Sequence, residues 1–98
     1  MAERAPSFPE VTPDVTISVR GTQYGPYSGQ SQISQSLKRI MRATPNWDTL
    51  TAAQRESLEM IQHKIARILN GNPNYVDSWH DISGYALLVE KQLLGEDP

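Results

Sequence analysis

Apolar residues recur at helical spacing in three stretches of the chain, each closed by a proline or a glycine. Between about Gly29 and Arg42, Ile33, Leu37, Ile40 and Met41 fall on one face of a helix. Ser28 is the expected N-cap, and Thr44-Pro45-Asn46 the stop, because the residue before a proline is pushed out of the α region. A second helix is announced by Thr51 with Gln54 three residues on, a capping-box pattern. Leu58, Ile61, Ile65, Ile68 and Leu69 then carry its apolar face up to Asn70, where Gly71 offers a left-handed terminating residue. A third helix is expected from Asp77 or Ser78 to Leu94, with Asp77 as an acidic cap. Its stripe is Trp79, Ile82, Ala86, Val89 and Leu93, and Gly95 ends it. The connector Gly71-Asn72-Pro73-Asn74 is so short that the last two helices must form an antiparallel hairpin.

The first part of the chain lacks that period. Pro6, Pro9, Pro13 and Pro26 interrupt it, and Val15, Ile17 and Val19 alternate with polar residues as in a strand. No second stretch offers such a strand a partner, so residues 1–27 are expected to form an extended arm packed on the body or on a neighbouring subunit. Residues 28–98 form the helical domain. The expected fold class is all-α: a small three-helix domain with a C-terminal antiparallel helical hairpin and an extended N-terminal arm.

Composition narrows the function classes. With 98 residues and 38% apolar content, against roughly 45–50% in ordinary domains, the chain can bury only a modest core. That favours self-association, because a small domain gains stability by covering helix faces with a copy of itself. The absence of cysteine excludes disulfides, thiolate metal sites and cysteine nucleophiles. No apolar run is long enough to span a bilayer, and the N-terminus lacks a secretory apolar segment. Nine Lys and Arg against eleven Asp and Glu leave a net charge of -2, which argues against a nucleic-acid binder. The sum hides an asymmetry. Between Val15 and Trp47 the charged residues are Arg20, Lys38, Arg39 and Arg42, all basic, whereas Asp77 to Pro98 holds five acids and only Lys91 in opposition.

Two constellations carry candidate chemistry. Lys64 and Arg67 share a face of the second predicted helix, and Asp77 and Asp81 a face of the third. Across the hairpin Arg67 should face about position 80 and Lys64 about position 83. One reading is a nucleotide site, with Lys64 and Arg67 on phosphate, Asp77 and Asp81 on ribose or magnesium, and Tyr24 or Tyr85 stacking on the base. The other is a salt-bridge clasp that sets the hairpin's register. The second constellation, Lys38, Arg39 and Arg42, is a candidate partner-binding basic face, or simply a solvated one. Gly84, within the third helix, is expected to let the second helix or the arm approach closely. His63, Asp77, His80 and Asp81 are metal-capable types without zinc spacing, so no metal or other cofactor is assigned.

Several blocks together resemble a family of small uncharacterised proteins of tailed bacteriophages and prophages. They are Arg20-Gly-x-x-Tyr24-Gly25, Ile33 to Leu37-Lys38, Trp47-x-x-Leu50, Lys64-Ile-Ala-Arg67-Ile-Leu-x-Gly71 and Asp77-Ser-Trp79-x-Asp81-Ile-x-Gly84-Tyr85. The resemblance implies a helical fold, viral origin and action in the cytoplasm of a bacterial host, with no particular reaction. A similar order of Tyr-Gly, Lys-x-x-Arg and Asp-x-x-x-Asp occurs in phage domains associated with nucleotide modification. Glu56-x-x-Glu59 followed by Asp77 and Asp81 also resembles the paired acidic motifs of all-α nucleoside-triphosphate pyrophosphohydrolases, which hold magnesium. The second pair departs from that pattern in residue type and spacing. In the hairpin register above, Asp81 lies roughly 10 Å along the axis from Glu59. The first expectation is therefore a non-enzymatic phage accessory protein that forms a homo-oligomer and binds a host or phage protein, with no membrane or nucleic-acid role. The alternative is a nucleotide-handling protein, either a sponge or a magnesium-dependent pyrophosphohydrolase.

Overall fold

A computed structural model describes residues 13–98. Among the described residues there are four α-helices and no strand: α1 (Pro13–Tyr24), α2 (Tyr27–Arg42), α3 (Ala52–Asn70) and α4 (Val76–Leu93). A single 3-10 turn, Trp47–Thr49, lies in the link between α2 and α3. The all-α expectation and the C-terminal helical hairpin hold. In the hairpin α3 packs along α4, while its other side receives α2, with α1 laid against both α2 and α3.

The extended arm is corrected over its described part. Residues 13–24 form a helix, and the remainder of the expected arm, residues 1–12, lies outside the described residues. Pro13 occupies the first helical position, where its missing N–H costs nothing, and Asp14 sits by the positive end of the helix dipole. A strand here would have left its backbone donors without partners, whereas a helix satisfies them internally. The alternation of Val15, Ile17 and Val19 therefore records no buried sheet face, and all three are exposed.

Helix boundaries follow local chemistry with three further corrections. The expected Ser28 cap is displaced: α2 begins at Tyr27 behind Pro26, which makes no side-chain cap. The capping box of α3 is present, Thr51 N–H donating to Gln54 Oε1 (2.9 Å) and Gln54 N–H to Thr51 Oγ1 (3.1 Å). Gly71 does follow α3, but its φ of -140° is not left-handed. It is needed for a close approach, since a Cβ there would collide with the backbone of Gln23 and Tyr24. Tyr75, rather than Asp77, caps α4, and Asp77 instead accepts the Tyr75 hydroxyl (3.0 Å). Gly95, with φ of +94°, provides the left-handed residue after α4.

The seams between helices are lined by small and polar side chains. Among the described residues Trp47 and Ala66 are the buried apolar ones, whereas Gln30, Ser34, Ser57, Gln62 and Ser78 are buried polar ones. Ser34 donates its hydroxyl to Gln62 Oε1 (3.2 Å) between α2 and α3. Small residues let helix backbones come close but leave the large apolar ones outside. The expected stripe of α4 is rotated in consequence. Ser78, Ile82, Tyr85 and Val89 turn toward the protein, while Trp79 and Leu93 are 55% and 72% exposed. Trp79 donates its Nε1–H to the Pro73 carbonyl (2.8 Å), which ties its ring to the connector. Ile40 of α2 and Leu58, Ile65 and Leu69 of α3 are likewise exposed.

Candidate functional site

The expected nucleotide constellation separates into three places. Lys64 on α3 and Asp81 on α4 form an ion pair (3.0 Å), with the lysine side chain largely buried and the aspartate 41% exposed. They hold each other across the hairpin, which is the clasp geometry. Its contribution is modest, because one partner remains in water. Tyr85 lies one turn further along α4, beside a shallow groove that it lines with His80, Asp81, Gly84 and Leu88. Gly84 faces open space: a Cβ there would meet nothing within 4 Å. The expectation that α3 or the N-terminal segment packs against Gly84 is thereby corrected.

Arg67 goes elsewhere. It turns away from α4 and lays its guanidinium over the Tyr24 ring, 4.1 Å from the centroid. Tyr24 in turn meets Tyr75 edge to face, with centroids 5.9 Å apart. Tyr75 reaches Asp77, whose accepting carboxylate holds the phenol's pKa above its ordinary value. Arg67, Tyr24, Tyr75 and Asp77 thus form a continuous chain from α3 through α1 to the start of α4. Two asparagines lock its frame. Asn70 Nδ2–H donates to the carbonyls of Tyr24 (2.9 Å) and Pro26 (2.8 Å). Asn72 N–H donates to the Gln23 carbonyl (2.7 Å).

A cavity of about 620 Å³ opens between α1, α2 and α3 beside this chain. Its polar walls are Arg20 and Tyr24 from α1, Gln30 from α2, and His63 and Arg67 from α3. Arg20, Gln30 and His63 were not picked out as site residues from sequence. The signal was present: Arg20 and Tyr24 are four apart and share a face once residues 13–24 are helical. His63 is held below its ordinary pKa of 6.5, first by burial and then by the positive charges of Arg67, Lys64, Lys38 and Arg20.

That shift has a consequence for stability. A folded pKa below the unfolded one means that the unfolded chain binds the proton more readily. The stability tied to neutral His63 is whole above pH 6.5 and is lost as pH falls through the folded value. Urea midpoints measured against pH should therefore decline below pH 6.5 in the native protein. His63→Gln should remove that part of the decline, and an unchanged profile would contradict the burial described.

The basic face of α2 is real but partly neutralised. Arg42 donates from Nε (3.2 Å) and Nη2 (2.6 Å) to Glu59 Oε2. Lys38 and Arg39 remain without an ion pair among the described residues and line a shallow surface concavity with Gln35. The paired acids of the pyrophosphohydrolase-like reading do not converge. Glu59 is engaged by Arg42 and Asp81 by Lys64. Among the described residues no three His, Asp or Glu side chains are grouped to hold a metal ion. No helix among the described residues is long and apolar enough to cross a membrane. Comparison with protein-family models, with curated proteins and with solved structures gives no match.

Proposed function

We infer that this chain is a non-enzymatic accessory protein that works by binding, and that its working form is a homo-oligomer joined through the outer face of α4. The observation that supports this most directly is the placement of apolar surface. Val76, Trp79, Leu87, Leu88, Leu93 and Leu94 are 45–72% exposed along one helix and its end, while the seams inside the chain hold serine and glutamine. Single exposed leucines are ordinary, but Leu87 and Leu88 flank Gly84, and Val76 and Leu94 lie on the same side as Leu87, which leaves apolar surface that a copy of the chain could cover. Closed symmetric assembly uses one surface twice, and it supplies the core that a small domain cannot build alone.

Gly84 fits the same reading. A glycine inside an exposed helix costs about 1 kcal/mol relative to alanine, and among the described residues nothing lies near enough to require it. A second copy of α4 crossing over Gly84 gives that glycine a use. The remaining basic face, Lys38 and Arg39, suits an acidic surface on a partner protein. The phage resemblance of the sequence blocks favours a host or phage protein as that partner, met inside the bacterial cytoplasm. A pyrophosphohydrolase is the weaker reading, since two of its four would-be metal ligands, Glu59 and Asp81, are already paired with cations.

Substitution at Gly84 separates assembly from a bare exposed helix. Under assembly, Gly84→Arg yields a folded monomer, and Gly84→Ala weakens self-association. In a chain that stays monomeric, Gly84→Ala would instead raise stability by about 1 kcal/mol with no change of mass. That second result would count against the interface.

A further inference from the structure

We propose that the cavity between α1, α2 and α3 is a binding site for a phosphate ester carrying a planar ring, of the nucleoside-monophosphate class. This site is separate from the α4 face and does not depend on it. At about 620 Å³ the cavity lies within the range of small-molecule sites.

Among the described residues its charge is of one sign: Arg20 and Arg67 line it together with His63, and no carboxylate does. Elsewhere in the chain Arg42, Lys64 and Lys91 each meet an acid. Among the described residues Arg20 and Arg67 have none, as is also true of Lys38, Arg39 and Arg55, but these two share a cavity. The Arg67 Nε is buried and, among the described residues, without a hydrogen-bond partner. An anion in the cavity that Arg67 lines would offset this uncompensated charge. Its plane is set by the Tyr24 ring beneath it, so its donors are held in a fixed fork rather than swinging free.

Two further features point the same way. Pro26 caps α2 without a side-chain acceptor for the first free N–H groups. Pro26 and Tyr27 both line the cavity, so the positive end of the α2 dipole borders it. The apolar part of the wall is Ile17 and Tyr27, whose side chains are 67% and 77% exposed. An exposed phenol ring beside an arginine pair offers a stacking surface for a base while the cations take its phosphate.

His63 makes the occupancy readable. The cations that act on it come from every helix around the cavity: Arg20 on α1, Lys38 on α2, and Lys64 and Arg67 on its own α3. A bound phosphate offsets those charges and returns His63 toward its ordinary value. Proton uptake at His63 therefore accompanies binding, and this contribution tightens it as pH falls from 6.5 toward the lower value of the free protein.

Isothermal titration of the full chain with adenosine monophosphate, adenosine and inorganic phosphate tests the site, with His63 ring resonances followed in parallel. Adenosine monophosphate should bind at least about tenfold more tightly than either fragment. It should raise the His63 titration midpoint. Arg20→Gln should weaken it by roughly tenfold with an unchanged circular dichroism spectrum, since Arg20 is exposed and makes no ion pair among the described residues. The proposal is overturned by no binding at millimolar ligand or by phosphate binding as well as the nucleotide. Full affinity in Arg20→Gln, or a preference for single-stranded oligonucleotide, would overturn it equally.

Discussion

Replacing Asn70 by alanine should lower the stability of the protein by about 2 kcal/mol, the combined effect of two lost hydrogen bonds and a Tyr24 carbonyl left without this donor, while the Pro26 carbonyl keeps the Gln30 N–H. The Asn70 side chain donates both amide protons to backbone carbonyls more than forty residues away, at Tyr24 and Pro26. It also fills the space beside Gly25 and Gly29, where any Cβ would collide with it. One side chain therefore fastens the end of α1, the start of α2 and the end of α3. Asn70→Asp separates donation from packing. It keeps the volume but presents acceptors to acceptors, and should cost more than alanine. In urea denaturation both variants shift the midpoint to lower urea, aspartate further. An aspartate variant at least as stable as alanine would refute the hydrogen-bond account.

Gly71→Ala should have a comparable effect by a different route. The added Cβ would run into the Gln23 carbonyl and the Tyr24 backbone, and neither can swing aside as a flexible side chain does. Overpacking of this kind costs about 1–3 kcal/mol. The damage should be local. Asn72 N–H loses its bond to the Gln23 carbonyl, and α1 lifts from the α3–α4 connector, while the hairpin stays closed through Lys64 and Asp81. Amide exchange reads this directly: protection at Asn72 and along α1 falls, and protection in the middle of α3 and α4 persists. Uniform loss of protection would show that α1 and the hairpin unfold as one unit.

Those two positions also show how far sequence could reach. The helical hairpin, the Thr51–Gln54 capping box and the stop before Pro45 were legible, because each depends on chemistry within a few residues. The role of Asn70 was not, since its partners lie at Tyr24 and Pro26 and nothing local marks it. Gly71 was correctly placed after a helix but for the wrong reason; the requirement is a crossing backbone rather than a left-handed turn. Alternating Val15, Ile17 and Val19, with no second stretch to pair as a strand, suggested an extended arm, because period 2 hides the helix that satisfies the same backbone donors internally. With that stretch read as an extended arm and a turn-rich connector, Arg20 and Tyr24 had no fixed place against the second and third helices, and the cavity they line with His63 and Arg67 was invisible.

The α4 stripe was misjudged for a deeper physical reason. Apolar residues cover more than one side of that helix, and the seam with α3 uses Ser78, Ile82, Tyr85 and Val89. Trp79, Leu87, Leu88 and Leu93 are left outside. A pattern rule assigns the largest apolar residues to the interior of the chain. Here the buried positions among the described residues, Trp47 and Ala66 apart, are polar, and several large apolar residues of α4 stay exposed. The charge asymmetry follows the same division: cations gather around the cavity and on α2, and acids collect toward the end of α4.

Sedimentation equilibrium at tens of micromolar protein tests the central claim most directly. The apolar outer face of α4 predicts a mass that is a closed multiple of the 11.0 kDa chain, reduced to one chain by Gly84→Arg. A native protein that sediments at 11.0 kDa across that range would contradict it.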